Sequence, residues 1–372
     1  MNKFLYKIFF LFISLFFLDA CGSSDTNEEK TDKDILSIEP SLNCTNGENL
    51  FPVNGTGNFK ISDNTISFII HALSDSNLSP SFDSVSSPNG IDIKSMYSQK
   101  RSDIPWRGEK YSNFFVPISS NYQLISGTWN YSTSSSNTLC FITRENSISD
   151  IPTIIVQPYI SGSNYSSDNI TSALNIMNNI YSKNNVKLNI LETTSITESK
   201  FSNVSYKFTN SITSEMVSKG DEDKVNLFFI TDYNDAAYLG NAAGIPGSQG
   251  LKGSHNGVLI NLKAHEYDNG SGLNNQLLGE TAAHEMGHFL GLWHPTEGNQ
   301  YKIYGLDYDP ISDTPECPES KNSNNDIHLS SEECGQQYGA DNLMFWDSWD
   351  DGNQDNLTEG QVYVLKRALI AK

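Results

Sequence analysis

The tightest constraint on this chain is the run His284-Glu285-Met286-Gly287-His288-Phe289-Leu290-Gly291-Leu292-Trp293-His294. Residues four apart on a helix share a face, with Cβ atoms roughly 5–6 Å apart. His284 and His288 are so spaced, and two imidazoles in that relation can reach one zinc ion through bonds of about 2.0–2.1 Å. Glu285 follows the first of them, turned by about 100° around the helix axis. It stands beside the metal, where it can take a proton from a water held there. Gly291 is a natural end for the helix, because a left-handed backbone costs glycine least. The chain can then turn and bring in His294 as a third ligand. Three protein ligands leave one coordination position open, as in a catalytic zinc site.

A bare H-E-x-x-H also arises by chance on ordinary surface helices. The added glycine and third histidine at this spacing make that account a poor one, and the extended pattern is a known signature when a methionine-bearing turn follows. Asp341-Asn342-Leu343-Met344-Phe345-Trp346 supplies such a turn.

The chain is 372 residues long, room for two domains of ordinary size. Its formal net charge of -20 excludes the basic footprint that nucleic-acid binding needs, and it disfavours adsorption to anionic membranes. Lys3 and Lys7 precede an apolar run from Ile8 to Leu18, which has signal-peptide length and is too short to span a bilayer. Leu18-Asp19-Ala20-Cys21-Gly22 resembles a bacterial lipobox, with Asp19 the departure from its usual uncharged residue. We therefore expect a signal peptide at 1–20, a lipid on Cys21 that anchors the chain to a membrane, and a polar tether at 21–36. The alternative is a plain secreted protein with a free cysteine. Either way the chain is extracytoplasmic, in a bacterial cell envelope, at an outer membrane or cell surface if lipidated.

Cys44, Cys140, Cys317 and Cys334 then remain, an even number suited to an oxidising compartment. Three pairings are open. Pairing within domains suggests Cys44 with Cys140 and Cys317 with Cys334.

Residues 37–148 read as a small all-β sandwich. Ile66–Ile70, Tyr122–Ile125, Gly127–Tyr131 and Leu139–Thr143 look like strands, with 132–137 as a hairpin tip, and Asn54-Gly55 and Asn89-Gly90 are turn dipeptides. This part carries no chemical motif and reads as a spacer or a carbohydrate- or protein-binding module, less readily as a pro-segment.

Residues 149–372 alternate strands with helices. Thr153–Gln157, Val186–Leu191, Val225–Ile230 and Gly257–Leu262 read as strands. Between the first two, Ile170, Ala173, Leu174, Met177, Ile180 and Tyr181 form one apolar helical stripe capped by Ser167 or Asp168. A second helix is expected at Ile212–Ser218, the zinc helix from about Leu273, and a last helix after Thr358, where Thr358 and Gln361 fit a capping box. The fold class is α/β (α+β), with a twisted, mostly parallel sheet and an active-site helix. His71, His255, His265 and His328 have no partner spacing and read as surface or core histidines.

From Thr153 onward the chain resembles the metzincin metalloendopeptidases, and within them it is most similar to the pappalysin family. The likeness rests on the zinc motif, Ala243-Gly244-Ile245-Pro246-Gly247, Ser312-Asp313-Thr314-Pro315 with Cys317, Asn342-Leu343-Met344, and Leu357-Thr358 with Gln361. It implies one catalytic zinc on His284, His288 and His294, general base and acid work by Glu285, and Met344 as the base of the Met-turn. Where related enzymes carry a tyrosine two residues after that methionine, this chain has Trp346, whose indole N–H is the candidate for oxyanion support. Asp347, Asp350, Asp351 and Asp355 form an acidic cluster that could take calcium, although a solvated loop accounts for it better.

These readings lead to a monomeric, membrane-anchored zinc endopeptidase acting on protein or peptide substrates. A substrate strand would lie along the 241–253 region. The rival is a surface lipoprotein that binds other molecules through its β-domain, its zinc site inactive or incidental.

Overall fold

A computed structural model of the chain describes residues 44–74, 82–94, 111–133, 137–145, 148, 151–162, 164–235, 238–267, 269–296, 309–324, 329–349 and 352–372. The expected signal peptide, Cys21 and the tether lie outside these residues, as do His328, Asp350, Asp351 and residues 134–136 of the hairpin tip at 132–137.

Seven strands open the described chain: β1 (Glu48–Leu50), β2 (Thr56–Ile61), β3 (Thr65–Ser74), β4 (Phe82–Ser86), β5 (Tyr111–Val116), β6 (Gly127–Thr133) and β7 (Asn137–Glu145). They form two antiparallel sheets, ordered β1-β7-β3-β5 and β2-β6-β4. Alternation explains the pairing face to face: β2 turns Phe59 and Ile61 inward and Asn58 and Lys60 outward. Between the sheets Phe59 meets Phe141 at 4.5 Å and Phe68 meets Trp129 edge-on at 5.2 Å, spacings at which aromatic pairs attract. The stretch Tyr122–Ile125, expected as a strand, is irregular. The reason is local: the Trp129 indole N–H donates to the Ile125 carbonyl at 2.9 Å, and the Tyr122 N–H closes a turn onto Ser119.

The second half is built on a six-stranded sheet. Its strands are β8 (Thr153–Ser161), β9 (Lys187–Ile190), β10 (Thr194–Ile196), β12 (Val225–Ile230), β14 (Gly240–Ala242) and β15 (Val258–Asn261), and a separate two-stranded pair joins β11 (Asn203–Val204) to β13 (Asp232–Tyr233). Every pairing in the large sheet is parallel except β14 on β15. Parallel strands covered on both faces read as unbroken apolar runs, and β12 is buried at all six residues. Helix α1 (Ser167–Lys183) buries the stripe read from its sequence; its cap is Ser166, whose N–H donates to Asn169 Oδ1 at 2.7 Å. Helix α2 (Ser211–Val217) is capped by Asn210.

Helix α3 (Asn275–Leu290) carries the zinc motif and packs along α1. The close approach is made at Gly279, where a Cβ would stand 2.8 Å from the Ala173 carbonyl. The Tyr181 hydroxyl donates to the Ala283 carbonyl at 2.9 Å across the same interface. A short helix α4 (Ser331–Cys334) precedes the methionine turn, and α5 (Glu359–Leu365) follows it with the expected Thr358–Gln361 capping box. The chain then returns to β8, where Lys372 and Thr153 exchange backbone hydrogen bonds of 2.7 and 2.9 Å.

The span Ile38–Lys372 clusters as one compact unit. Contacts cross residue 148: the Arg144 guanidinium donates to the carbonyls of Lys366 and Ala368 at 2.7 and 2.9 Å. Among the described residues, no helix is long and apolar enough to cross a membrane.

Candidate metal centre

The three histidines converge because the helix ends where it does. Asn274 caps the start of α3 by accepting the Leu277 N–H at 3.2 Å. At the other end Gly291 adopts φ 111°, and Leu292 N–H bonds back to the Gly287 carbonyl at 2.9 Å. This glycine C-cap reverses the chain and returns His294 to the helix face. His294 Nε2 lies 3.2 Å from His284 Nε2 and 3.0 Å from His288 Nε2. Two nitrogens each about 2.0–2.1 Å from one tetrahedral ion stand roughly 3.3 Å apart, so the spacing fits a single cation.

The tautomers are also set. His284 Nδ1 donates to the Leu343 carbonyl at 2.7 Å, and His288 Nδ1 donates to the Leu292 carbonyl at 2.8 Å. Each neutral ring then presents its Nε2 lone pair to the centre. Burial, then the neighbouring His294, holds the His284 pKa down at about 3, and burial with both neighbouring rings holds that of His288 well below the usual range. His294 could donate to only one of two facing lone pairs, so the donor set asks for a cation. Among the described residues this trio is the one group of three or more His, Cys, Asp or Glu whose ligand atoms gather this closely.

Glu285 is half-buried beside the trio. Burial raises its pKa to about 7 against the opposing pull of His294 and of a hydrogen bond from the Ala242 backbone. Strand β14 runs directly over this carboxylate: a Cβ on Gly240 would come 2.6 Å from Glu285 Cγ. The antiparallel edge strand therefore meets the candidate base at its own backbone.

Met344 is fully buried beneath the helix, and a Cβ on Gly287 would stand 2.5 Å from its sulfur. Its turn is fixed by Asn342, which accepts the Met344 N–H at 2.9 Å and exchanges side-chain hydrogen bonds of 2.9 and 3.1 Å with Gln361 of α5. That turn delivers the Leu343 carbonyl to His284. No feature of the sequence marks Leu343 or Leu292, because a carbonyl oxygen acts here and every residue has one.

Other candidates are placed differently. The Trp346 indole N–H, considered for oxyanion support, donates instead to the Leu329 carbonyl at 2.8 Å, with the ring packed on the cluster of Cys317, Leu329, Cys334 and Phe345. It is a packing residue, since its one donor is spent away from the trio. For calcium, Asp347 accepts from the Ser331 N–H and hydroxyl at 3.2 and 3.3 Å, and Asp355 pairs with Lys183 at 2.8 Å. Both carboxylates are engaged by the protein itself, and no calcium-type cluster is found among the described residues. Cys44 bonds Cys140 and Cys317 bonds Cys334. His71, His255 and His265 are all buried. His265 had no evident role in the sequence, yet its Nε2 lies 3.0 Å from the hydroxyl of Thr281, one turn before Glu285.

With this geometry established, comparison with known proteins gives a family match. The profile of the family described as Metallo-peptidase family M12B Reprolysin-like matches residues 167–295, from the start of α1 past the third histidine. No curated protein matches the chain. Solved structures similar to it include archaemetzincin (amzA) from Methanopyrus kandleri, at 15% identity over 38% of this chain and 74% of that one, TM-score 0.25. Metalloproteinase-II from Bacteroides fragilis is similar at 15% identity over 44% of this chain and 49% of that one, TM-score 0.27. Myroilysin is similar at 12% identity over 57% and 78%, TM-score 0.26. The profile match likens the 167–295 stretch to a metallopeptidase domain.

Proposed function

We infer that this chain is a zinc-dependent endopeptidase, pappalysin-like in its catalytic half, acting outside the cytoplasm and anchored to a membrane through Cys21. The observation that carries the reading is the meeting of His294 Nε2 with those of His284 and His288, at 3.2 and 3.0 Å, beside Glu285. His284, His288 and His294 would hold the ion. When bound, zinc polarises a carbonyl and lowers the pKa of water.

The protein's own residues would do the rest. A peptide in extended form would pair with the free edge of β14, since an edge strand offers unpaired backbone groups. That would set its scissile carbonyl beside Glu285. Glu285 would take a proton from the attacking water and pass it to the departing amine nitrogen. A carboxyl placed within reach of both the water and the amine suits both transfers. The Leu343 and Leu292 carbonyls would keep the two helix-borne imidazoles oriented.

Residues 37–148 would serve as an accessory β-sandwich and 149–372 as the peptidase domain of a monomer. Two disulfides accord with an oxidising compartment. The rival, a binding lipoprotein with an inactive metal site, gives no reason for a carboxylate beside the trio. Digestion of unfolded casein separates the two readings. The wild type should lose activity to a chelator and regain it with zinc, while Glu285→Ala should keep stoichiometric zinc and lose proteolysis. Full activity in that variant would remove the mechanism.

A further inference from the structure

We propose that His265 is a positioning residue for Glu285: it holds the Thr281 side chain in the one orientation that sets its methyl beside the Glu285 stem, beneath β14. The inference deepens the peptidase reading and rests on it.

The ring stands between the edge of the sheet and the zinc helix. His265 ends the short turn Lys263–His265 after β15 and is 1% exposed. Its Nδ1 lies 2.6 Å from the Asn261 carbonyl oxygen, and its Nε2 lies 3.0 Å from the Thr281 hydroxyl. A carbonyl can only accept, so the neutral ring carries its proton on Nδ1 and offers Nε2 as an acceptor. Thr281 is therefore the donor of the second bond.

Both ends of this arrangement are anchored. The Asn261 N–H donates to the Leu239 carbonyl at 2.9 Å and its side-chain amide to the Tyr238 carbonyl at 3.2 Å, which holds the residues leading into β14. The His265 carbonyl accepts the Asn274 N–H at 2.7 Å, at the cap of α3. His265 is thus fixed to the strand edge and to the helix start before it reaches Thr281.

Thr281 and Glu285 are four apart on α3 and share a face. A Cβ on Gly240 would stand 3.1 Å from the Thr281 methyl carbon and 2.6 Å from Glu285 Cγ. The methyl and the carboxylate stem therefore lie side by side under the backbone of β14. A helical threonine has two usable rotamers, because its hydroxyl can bond back to a carbonyl one turn earlier. Here the hydroxyl goes to His265 instead of to Leu277. Without an acceptor at 265 it turns back onto the helix, the methyl swings away, and Glu285 gains room to move. Misplacing a reacting group by about 1 Å costs roughly a hundredfold in rate.

Steady-state hydrolysis of an internally quenched casein-derived peptide by the zinc-loaded full chain tests the proposal. His265→Leu should lower kcat about tenfold or more and leave KM within about twofold, with zinc content unchanged. Thr281→Ser, which keeps the hydroxyl and loses the methyl, should lower kcat in the same way. Adding Thr281→Val to His265→Leu should restore kcat to within about threefold of wild type, since valine carries a methyl in both positions and no donor is left unpaired. In 15N–1H spectra of the metal-free chain, the His265 ring should bear its proton on Nδ1, and Thr281→Val should shift its Nε2 resonance. Full kcat in Thr281→Ser would overturn the proposal, even if His265→Leu fails to fold. So would a double variant as slow as His265→Leu, loss of zinc from either single variant, or a proton on Nε2. A wild type that cleaves no peptide would remove the peptidase reading as well, whereas an active wild type indifferent to these changes would remove only the role of His265.

Discussion

His71 and Gln249, 178 positions apart, meet in the interior, with the imidazole Nε2 of the first 3.0 Å from the carbonyl oxygen of the second. On its other side His71 Nδ1 lies 2.6 Å from Asn113 Oδ1, and the Asn113 amide donates to the Pro246 carbonyl at 2.9 Å. Gln249 in turn donates its side-chain amide to the carbonyl of Phe289 at 3.1 Å, one residue beyond His288. A line of buried hydrogen bonds therefore runs from strands β3 and β5 to the last turn of the zinc helix.

The first prediction follows from that line. Replacing His71 by Ala removes a buried ring and the one N–H that its neutral form donates, stranding an acceptor, and a buried unsatisfied polar group costs about 1–3 kcal/mol. We expect His71→Ala to lower stability by about 2–4 kcal/mol, read as a reduced denaturant midpoint with little change in slope. Peptidase activity per folded molecule should also fall. A variant as stable as the wild type would show that the two halves are joined elsewhere.

Acid should weaken the fold through the same residue. Burial, against hydrogen bonds to Asn113 and Gln249, lowers the His71 pKa to about 4, and burial does the same for His265 against its bond to Asn261. The unfolded chain, with histidine near pH 6.5, then binds more protons than the folded one between these values. Stability from these groups is fully present above about pH 6.5. It is lost as the pH falls toward 4. Melting temperatures taken across this window should decline, and His71→Gln should reduce the slope; an unaltered slope would exclude His71 as a source.

The contact between Gly287 and Met344 predicts a coupled pair. A methyl at Gly287 would press into the buried sulfur at 2.5 Å, and overpacking of this kind costs about 1–3 kcal/mol. Gly287→Ala should therefore destabilise the domain and displace the helix face that bears His284 and His288. Adding Met344→Ala should recover part of the loss, because the clash disappears with the side chain. A double-mutant cycle in chemical denaturation reads the coupling, and strict additivity would mean that the turn does not support the helix.

Metal affinity gives the fourth test. His294→Ala leaves two imidazoles in place of three, and the loss should exceed the about 10–100-fold typical of changes one shell further out. Competition with a fluorescent zinc chelator measures it. Unchanged affinity would mean that His294 is no ligand.

The sites legible in the sequence are those in which chemistry and spacing coincide within a few residues. His284, Glu285 and His288 lie on one helical turn, Gly291 must end that helix, and His294 is the first histidine after the bend. The stripe of α1 and the cap of α5 were readable for the same reason: helical periodicity and capping are local rules. Trp346 shows the limit. Its position in sequence suggested a role at the reaction centre, but the indole found a carbonyl at Leu329 within a disulfide-stapled cluster.

By itself, then, the order of residues determined the metal-binding grammar, four strands of the large sheet with the helices between them, and the chemistry Glu285 can perform. Only the tertiary structure decided that the Leu343 carbonyl orients His284, that Gly240 passes over Glu285, and that His71 reaches Gln249. The physical reason is that backbone carbonyls and glycine clearances carry no distinctive residue code. They acquire a function from what is packed against them, and that is settled when distant segments share one interior.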